Sequence, residues 1–203
     1  MKARLLTIFL TIMMILGSSS LGLAEEQMPM GEMDAAQKKI MEQMQAYSTP
    51  NEHHDVLKKM VGSWDAEVKY WMAPGGEPHT SQGTGELELI MGGRFLQQTF
   101  KGDAMGQVFE GMGILGYDNI RQEYQNIWFD NMSTGLMMST GQYNSEGQMI
   151  KEEGMLSCPL TNGERWFRSV TTFVDENTFT YETFMKDENG NEFQSMIINY
   201  TRK

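Results

Sequence analysis

The sequence predicts an all-β fold, a ten-stranded antiparallel up-and-down β-barrel behind two short N-terminal helices. Three observations carry that expectation. Apolar and polar residues alternate with a period of two from Trp64 onward, the joints between alternating segments hold residues tolerant of positive φ, and no helical segment is interleaved among them. Without interleaved helices a doubly wound α/β enzyme is excluded, leaving a sandwich or a closed barrel. Closure is favoured because an open sheet of ten hairpin-linked strands would leave two exposed edges and accumulate too much twist.

The elements follow in order. Residues 1–24 read as a secretory signal: Lys2 and Arg4 form the basic start, an apolar run extends from Leu5 to Leu16, and Gly22-Leu23-Ala24 supplies small residues for cleavage before Glu25. The run is too short for an uncleaved anchor, which needs about 20 apolar residues. Export to the periplasm or the medium is therefore expected, with no stable membrane insertion after cleavage. Residues 25–49 form a Met-rich tail and an amphipathic helix, on which Met33, Ile40, Met44 and Tyr47 make one narrow apolar stripe. Thr49-Pro50-Asn51-Glu52 matches a capping box with Thr49 as the cap, opening a second helix that presents Val56, Leu57, Met60 and Val61 and stops at Gly62.

Residues 50–203 then form the barrel domain. In its first strand Trp64, Ala66, Val68 and Tyr70 alternate with Asp65, Glu67 and Lys69, as a half-buried strand requires. Nine further strands are expected at about 81–91, 94–101, 107–117, 123–130, 135–143, 148–156, 165–174, 178–186 and 192–202. Gly75-Gly76, Gly92-Gly93, Asn162-Gly163 and Asn189-Gly190 are among the joints that carry hairpin chemistry.

Composition narrows the function. With 16 Lys and Arg against 27 Asp and Glu, the formal charge is −11, and loss of residues 1–24 takes it to −13 by removing two bases. Such a surface repels phosphate, so nucleic acid is excluded as a partner. The single cysteine, Cys158, cannot form an intramolecular disulfide and reads as a small filler at a strand end. No metal site or cofactor is predicted. His53 and His54 diverge by about 100° on a helix, His79 stands alone, and no strand offers an inward axial histidine. Met28, Met30, Met33, Met41 and Met44 could hold Cu(I) weakly through their thioethers, whereas gap filling explains the core methionines.

Strand parity supplies the candidate site. If Trp64 points inward, the same alternation places Arg94, Leu96, Gln98 and Phe100 inside on the third strand and Tyr124, Asn126, Trp128 and Asp130 on one face of the fifth. Arg94, Gln98, Tyr124, Asn126, Trp128 and Asp130 are the expected ligand-binding set, with Arg94 and Asp130 paired to offset burial. Glu110 could join Asp130, but its strand alternates too poorly to decide. Trp64, Phe100, Tyr124, Trp128 and Trp166 could fill much of the interior. Neither a nucleophile beside a base nor two facing carboxylates is evident, so no catalytic residue is assigned.

A helix running into Gly62-Ser63-Trp64 resembles the head of the calycins, the lipocalin and fatty-acid-binding superfamily. The chain is more specifically similar to the bacterial domain-of-unknown-function family 1579. His54 ahead of Gly-x-Trp, Met91-Gly92-Gly93-Arg94-Phe95-Leu96, Gly113-Ile114-Leu115-Gly116-Tyr117-Asp118, Tyr124, Trp128, Asp130-Asn131, Thr134-Gly135 and Tyr200-Thr201-Arg202 carry the likeness. That resemblance implies a calycin-like barrel around a ligand cavity and no particular activity. Strand ten runs back to strand one, which brings Arg202 to Trp64, and calycins commonly use such a pair for structural closure. The resulting reading is a barrel that binds a small apolar or amphipathic molecule without enzymatic turnover. Its alternatives are an enzyme using interior Arg94 and Asp130, and a filled structural barrel.

Overall fold

The computed structural model describes residues 34–159 and 161–203, so the expected signal sequence and the methionines before residue 34 lie outside the described residues. The chain divides into two compact units, Met1–Gln43 and Met44–Lys203. Helix α1 (Ala35–Ser48) contains no buried residue. Its start is closed reciprocally, because Asp34 Oδ1 accepts from the Gln37 amide while Gln37 Oε1 accepts from the Asp34 amide.

Ten strands then form a closed antiparallel barrel in simple meander order: β1 (Gly62–Tyr70), β2 (His79–Ile90), β3 (Phe95–Ala104), β4 (Gln107–Asp118), β5 (Glu123–Asp130), β6 (Met137–Asn144), β7 (Met149–Cys158), β8 (Gly163–Phe173), β9 (Thr178–Lys186) and β10 (Glu192–Arg202). The sheet closes where β1 pairs with β10, from Trp64 opposite Arg202 to Tyr70 opposite Met196. No strand of the barrel is left with a free edge.

One end is plugged. Helix α2 (Glu52–Leu57) and the 3₁₀ turn Lys58–Met60 bury Val56, Leu57 and Met60 among Trp64, Leu96, Tyr124, Ile150, Phe173, Phe179 and Tyr200. Polar bonds tie the plug down: Trp64 Nε1 donates to Met60 O (2.8 Å) and Tyr124 Oη donates to His53 O (2.8 Å). The capping box starts at Asn51 rather than Thr49. Asn51 Oδ1 accepts from the His53 amide, and the His54 ring nitrogen Nδ1 accepts from the Asn51 amide. Thr49 instead closes α1 through its hydroxyl bond to Gln45 O (2.6 Å), and Pro50 separates the two helices.

Gly62 is the first residue of β1 rather than a helix stop, because Val61 is already extended. Its φ of +135° suits glycine alone, and a Cβ there would lie 2.3 Å from Arg202 Nη1. The Arg202 guanidinium stacks over Trp64, 4.1 Å from carbon to ring centroid, and donates to Val61 O (2.6 Å), Glu176 O (3.0 Å) and Lys59 O (3.4 Å). One side chain thereby satisfies three carbonyls from two segments and covers the indole that heads the barrel.

Two joints differ from the expected ones. Met91 (φ 50°) and Gly92 (φ 68°) form a tight turn closed by Gly93 N donating to Ile90 O (3.1 Å), which removes Met91 and Arg94 from the strands. Met105 (φ 54°) and Gly106 (φ 78°) make a similar turn between β3 and β4, letting β3 run on to Ala104. Both are the primed geometry that matches strand twist, with methionine in a position usually taken by Asn, Asp or Gly.

A Gly62→Ala substitution should destabilise the protein by about 2 kcal/mol or more, from left-handed strain plus the clash with Arg202. In an Arg202→Ala background the same change should cost less, because the clash has gone. Urea unfolding of the four proteins of this cycle measures the coupling, and strictly additive losses would show that Gly62 and Arg202 do not meet.

Candidate functional site: the barrel interior

Register defines which side chains enter the lumen. Trp64, Ala66 and Val68 are buried on β1, and cross-strand pairing carries that inward parity to Gln98 on β3, Gly111 and Gly113 on β4, and Asn126, Trp128 and Asp130 on β5. It continues to Ser139 on β6, Glu152 on β7, Ser169 on β8, and Tyr181 and Thr183 on β9. The interior is layered. The aromatic plug occupies one end, a polar belt lies at mid-height, and Trp128, Asp130 and Phe109 stand toward the unplugged end.

Of the six ligand-site candidates, Gln98, Asn126, Trp128 and Asp130 share this inward face. Tyr124 shares the parity but is fully buried beneath α2, where it serves the plug. Arg94 does not enter. It sits in the β2–β3 turn with Nη1 donating to Met91 O (3.0 Å), and it borders a groove of about 890 Å³ on the outside of the wall, beside Phe95, Ile127 and Met138. The expected Arg94–Asp130 pair is therefore not formed. Arg94 adjoins the plugged end at the level of Tyr117, and Asp130 lies opposite Gly111, six residues before Tyr117 in β4, a separation of about 20 Å at 3.3–3.4 Å per residue. Asp130 is instead held by the Trp128 indole N–H (3.0 Å) and the Met132 amide (3.0 Å).

Two further residues lie outside. Trp166 points outward on β8, with Lys186 Nζ 4.5 Å from its ring centroid, and leaves the interior to Phe167 and Ser169. Glu110 is also outside, paired with Lys101 at 3.1 Å.

The residue that strand parity could have found is Glu152. Ile150, Glu152 and Gly154 share one face of β7, and Glu152 is 3% exposed. Ser139 Oγ donates to its Oε1 (3.2 Å), whereas Ser169, facing the same carboxylate, forms no hydrogen bond of normal geometry. The Thr183 hydroxyl is buried in the same layer, beside the Tyr181 phenol. Burial pushes the Glu152 carboxyl up to about 7, against the opposing pull of the serine hydroxyls. Burial also raises the Tyr181 phenol, and the charge of Glu152 adds to that rise. Among the described residues Glu152 forms no salt bridge.

Gln98 and Tyr181 also point inward at mid-height, with Gln98 Nε2 donating to Tyr200 Oη (3.2 Å), yet both retain accessible surface. Glycines set the aromatic rings against the wall: a Cβ at Gly111 would lie 2.2 Å from the Trp128 ring, and one at Gly83 would lie 2.3 Å from that of Phe100. Among the described residues no cluster of three His, Cys, Asp or Glu side chains could hold a metal ion.

A closed meander barrel with one plugged end and a polar, acid-bearing interior defines the class of protein. Residues 49–202 match the family described as Protein of unknown function (DUF1579), and the chain belongs to it. No curated protein matches the chain. Among solved structures, the crystal structure of Rv2717c from M. tuberculosis is similar at 15% identity and a TM-score of 0.56, covering 76% of this chain and 99% of that one. A redesigned β-barrel aligns at 12% identity and a TM-score of 0.37, over 73% of this chain and 95% of its own. The likeness to Rv2717c supports the barrel fold alone.

The Glu152 carboxyl gives a signed pH dependence. Its folded value of about 7 lies above the ordinary 4.5, so its favourable contribution is complete below pH 4.5 and is lost as pH rises through 7. The total is about 3 kcal/mol at 1.36 kcal/mol per unit. Urea unfolding between pH 4 and 8 should show this decline in the wild type and not in Glu152→Gln. Parallel pH profiles would show that Glu152 titrates normally.

Proposed function

We propose that the barrel holds one small amphipathic molecule in its lumen, with the polar end at the belt around Glu152 and the apolar part among Trp128, Phe109 and Phe100. The observation that carries this reading is the belt itself. The Ser139, Ser169 and Thr183 hydroxyls and the Tyr181 phenol gather beside an acid that burial has made hard to ionise. Packing alone would fill such positions with apolar groups, since each unsatisfied polar group costs about 1–3 kcal/mol. A ligand that bonds to the belt offsets that cost.

The protein acts outside the cytoplasm in this reading, after removal of residues 1–24. The basic start, the apolar run and the small residues at 22 and 24 support export. Solvent-exposed acidic groups would keep a small binding protein soluble there.

The neutral apolar fluorophore N-phenyl-1-naphthylamine should bind with 1:1 stoichiometry and accept energy transfer from the tryptophans. Replacing Asn126 with Trp, which fills the lumen at mid-height, should abolish the signal while β-type circular dichroism is retained. Absence of binding by the wild type would favour a filled barrel. Amino-terminal sequencing of exported protein should begin at Glu25.

A further inference from the structure

The inward surface has an uneven balance of charge. Strand parity and cross-strand register place two carboxylates inside, Glu152 at mid-height and Asp130 toward the unplugged end. The bases of the same parity all lie at the ends: Arg202 is stacked on Trp64, Arg165 donates to Lys186 O (2.7 Å), and His79 stacks on Tyr70 with centroids 5.1 Å apart. Among the described residues neither inward acid forms a salt bridge, and no base stands at the level of Glu152. Around the acid the wall offers lone pairs and a π face: the Ser139, Ser169 and Thr183 oxygens and the Tyr181 ring, with Gln98 bonded to Tyr200 on the same inward parity.

A buried acid among hydroxyl acceptors and aromatic faces has the chemistry that receives an ammonium group. An anion would meet the Glu152 charge with no counter-charge beside it. A neutral headgroup would leave the acid unpaired above pH 7. The net charge of −11 also raises the local concentration of cations and lowers that of anions.

Resting on the lumen reading above, we infer that the ligand is an organic cation, a substituted ammonium carrying an apolar tail, with its charged head at Glu152 and the tail directed toward Trp128. Groups facing Glu152 from the neighbouring strands are Ser139 from β6, Ser169 from β8, and Tyr181 and Thr183 from β9. Tyr181, the titratable one among them, remains neutral through the range tested because burial and Glu152 both raise it. Binding a permanent cation requires the ionised carboxylate, so one proton is released on binding wherever Glu152 starts protonated. Affinity therefore falls as pH drops below 7.

The test is isothermal titration calorimetry of the full mature chain with octyltrimethylammonium, octanol and octyl sulfate, at pH 8 and pH 5.5. The cation should bind about tenfold or more tighter than octanol at pH 8, as a charge-assisted contact provides. That preference should shrink at pH 5.5 and vanish in Glu152→Gln, while octanol binding stays within about twofold. Asp130→Asn should retain the preference, which assigns it to the mid-height acid. Wild-type pH dependence stands as a readout even where Glu152→Gln folds poorly. Equal binding of cation and octanol, or tightest binding of octyl sulfate, overturns the cation while leaving the lumen reading intact. Failure of all three probes to bind overturns both.

Discussion

The closure of β10 onto β1 is the contact from which the rest of the molecule follows. A meander of ten strands has two terminal edges that are far apart in sequence, and one set of backbone bonds must join them. Trp64 and Arg202 form the terminal pair of that seam, so the stacked guanidinium sits where fraying would begin. Its hydrogen bonds reach Lys59 O and Val61 O, carbonyls at the end of the helical plug, and Glu176 O in the β8–β9 turn. Sheet closure, plug docking and the last hairpin are thus coupled through one side chain. Gly62 is the backbone condition for it, because only a residue without Cβ leaves room for the guanidinium there.

With one end sealed by the aromatic plug, hydrophobic burial has already supplied much of what a domain of this size needs. The belt at mid-height runs against that economy. Glu152, Ser169 and Thr183 are each almost wholly buried, and their positions on the wall would accept Val or Leu without altering register. Polar groups that stability does not require, gathered at one level of the interior, are what the proposed ligand reading rests on. Arg94 and Asp130 lack that property, because each is satisfied locally by neighbours in its own turn or strand.

The fold was legible because period-two alternation and hairpin residues are local signals, and ten short antiparallel strands admit few topologies. Parity also placed Gln98, Asn126, Trp128 and Asp130 on the correct face. Arg94 was misplaced because it shares the parity of Leu96, Gln98 and Phe100, while the tight turn at Met91-Gly92 keeps it out of the sheet. Nothing local marks Met91 as a residue that adopts positive φ. Trp166 was misread by size, since β8 buries Phe167, Ser169 and Thr171 and leaves the larger ring outside against Lys186 and Glu153. Glu152 escaped notice because Glu152-Glu153 reads as a solvated acidic pair. Its inward face shows only when Ile150 and Gly154 are set on the same parity.

Large aromatic residues on the inner face first suggest a filled interior. The inward glycines change what those rings do. At Gly111 and Gly113 the Trp128 ring lies directly against the β4 backbone, and at Gly83 the Phe100 ring lies against β2, at separations a Cβ would forbid. A ring that lies on the wall occupies volume at the perimeter and presents its face to the axis, whereas one projecting radially would occupy the axis itself. The same residues can therefore line the wall without crossing the axis. Glycine at these positions weakens a strand by the entropy it adds to the unfolded chain. That cost is explicable where the close approach of a ring to the backbone shapes a lumen, and the ring faces so exposed lie between the unplugged end and the acid at mid-height.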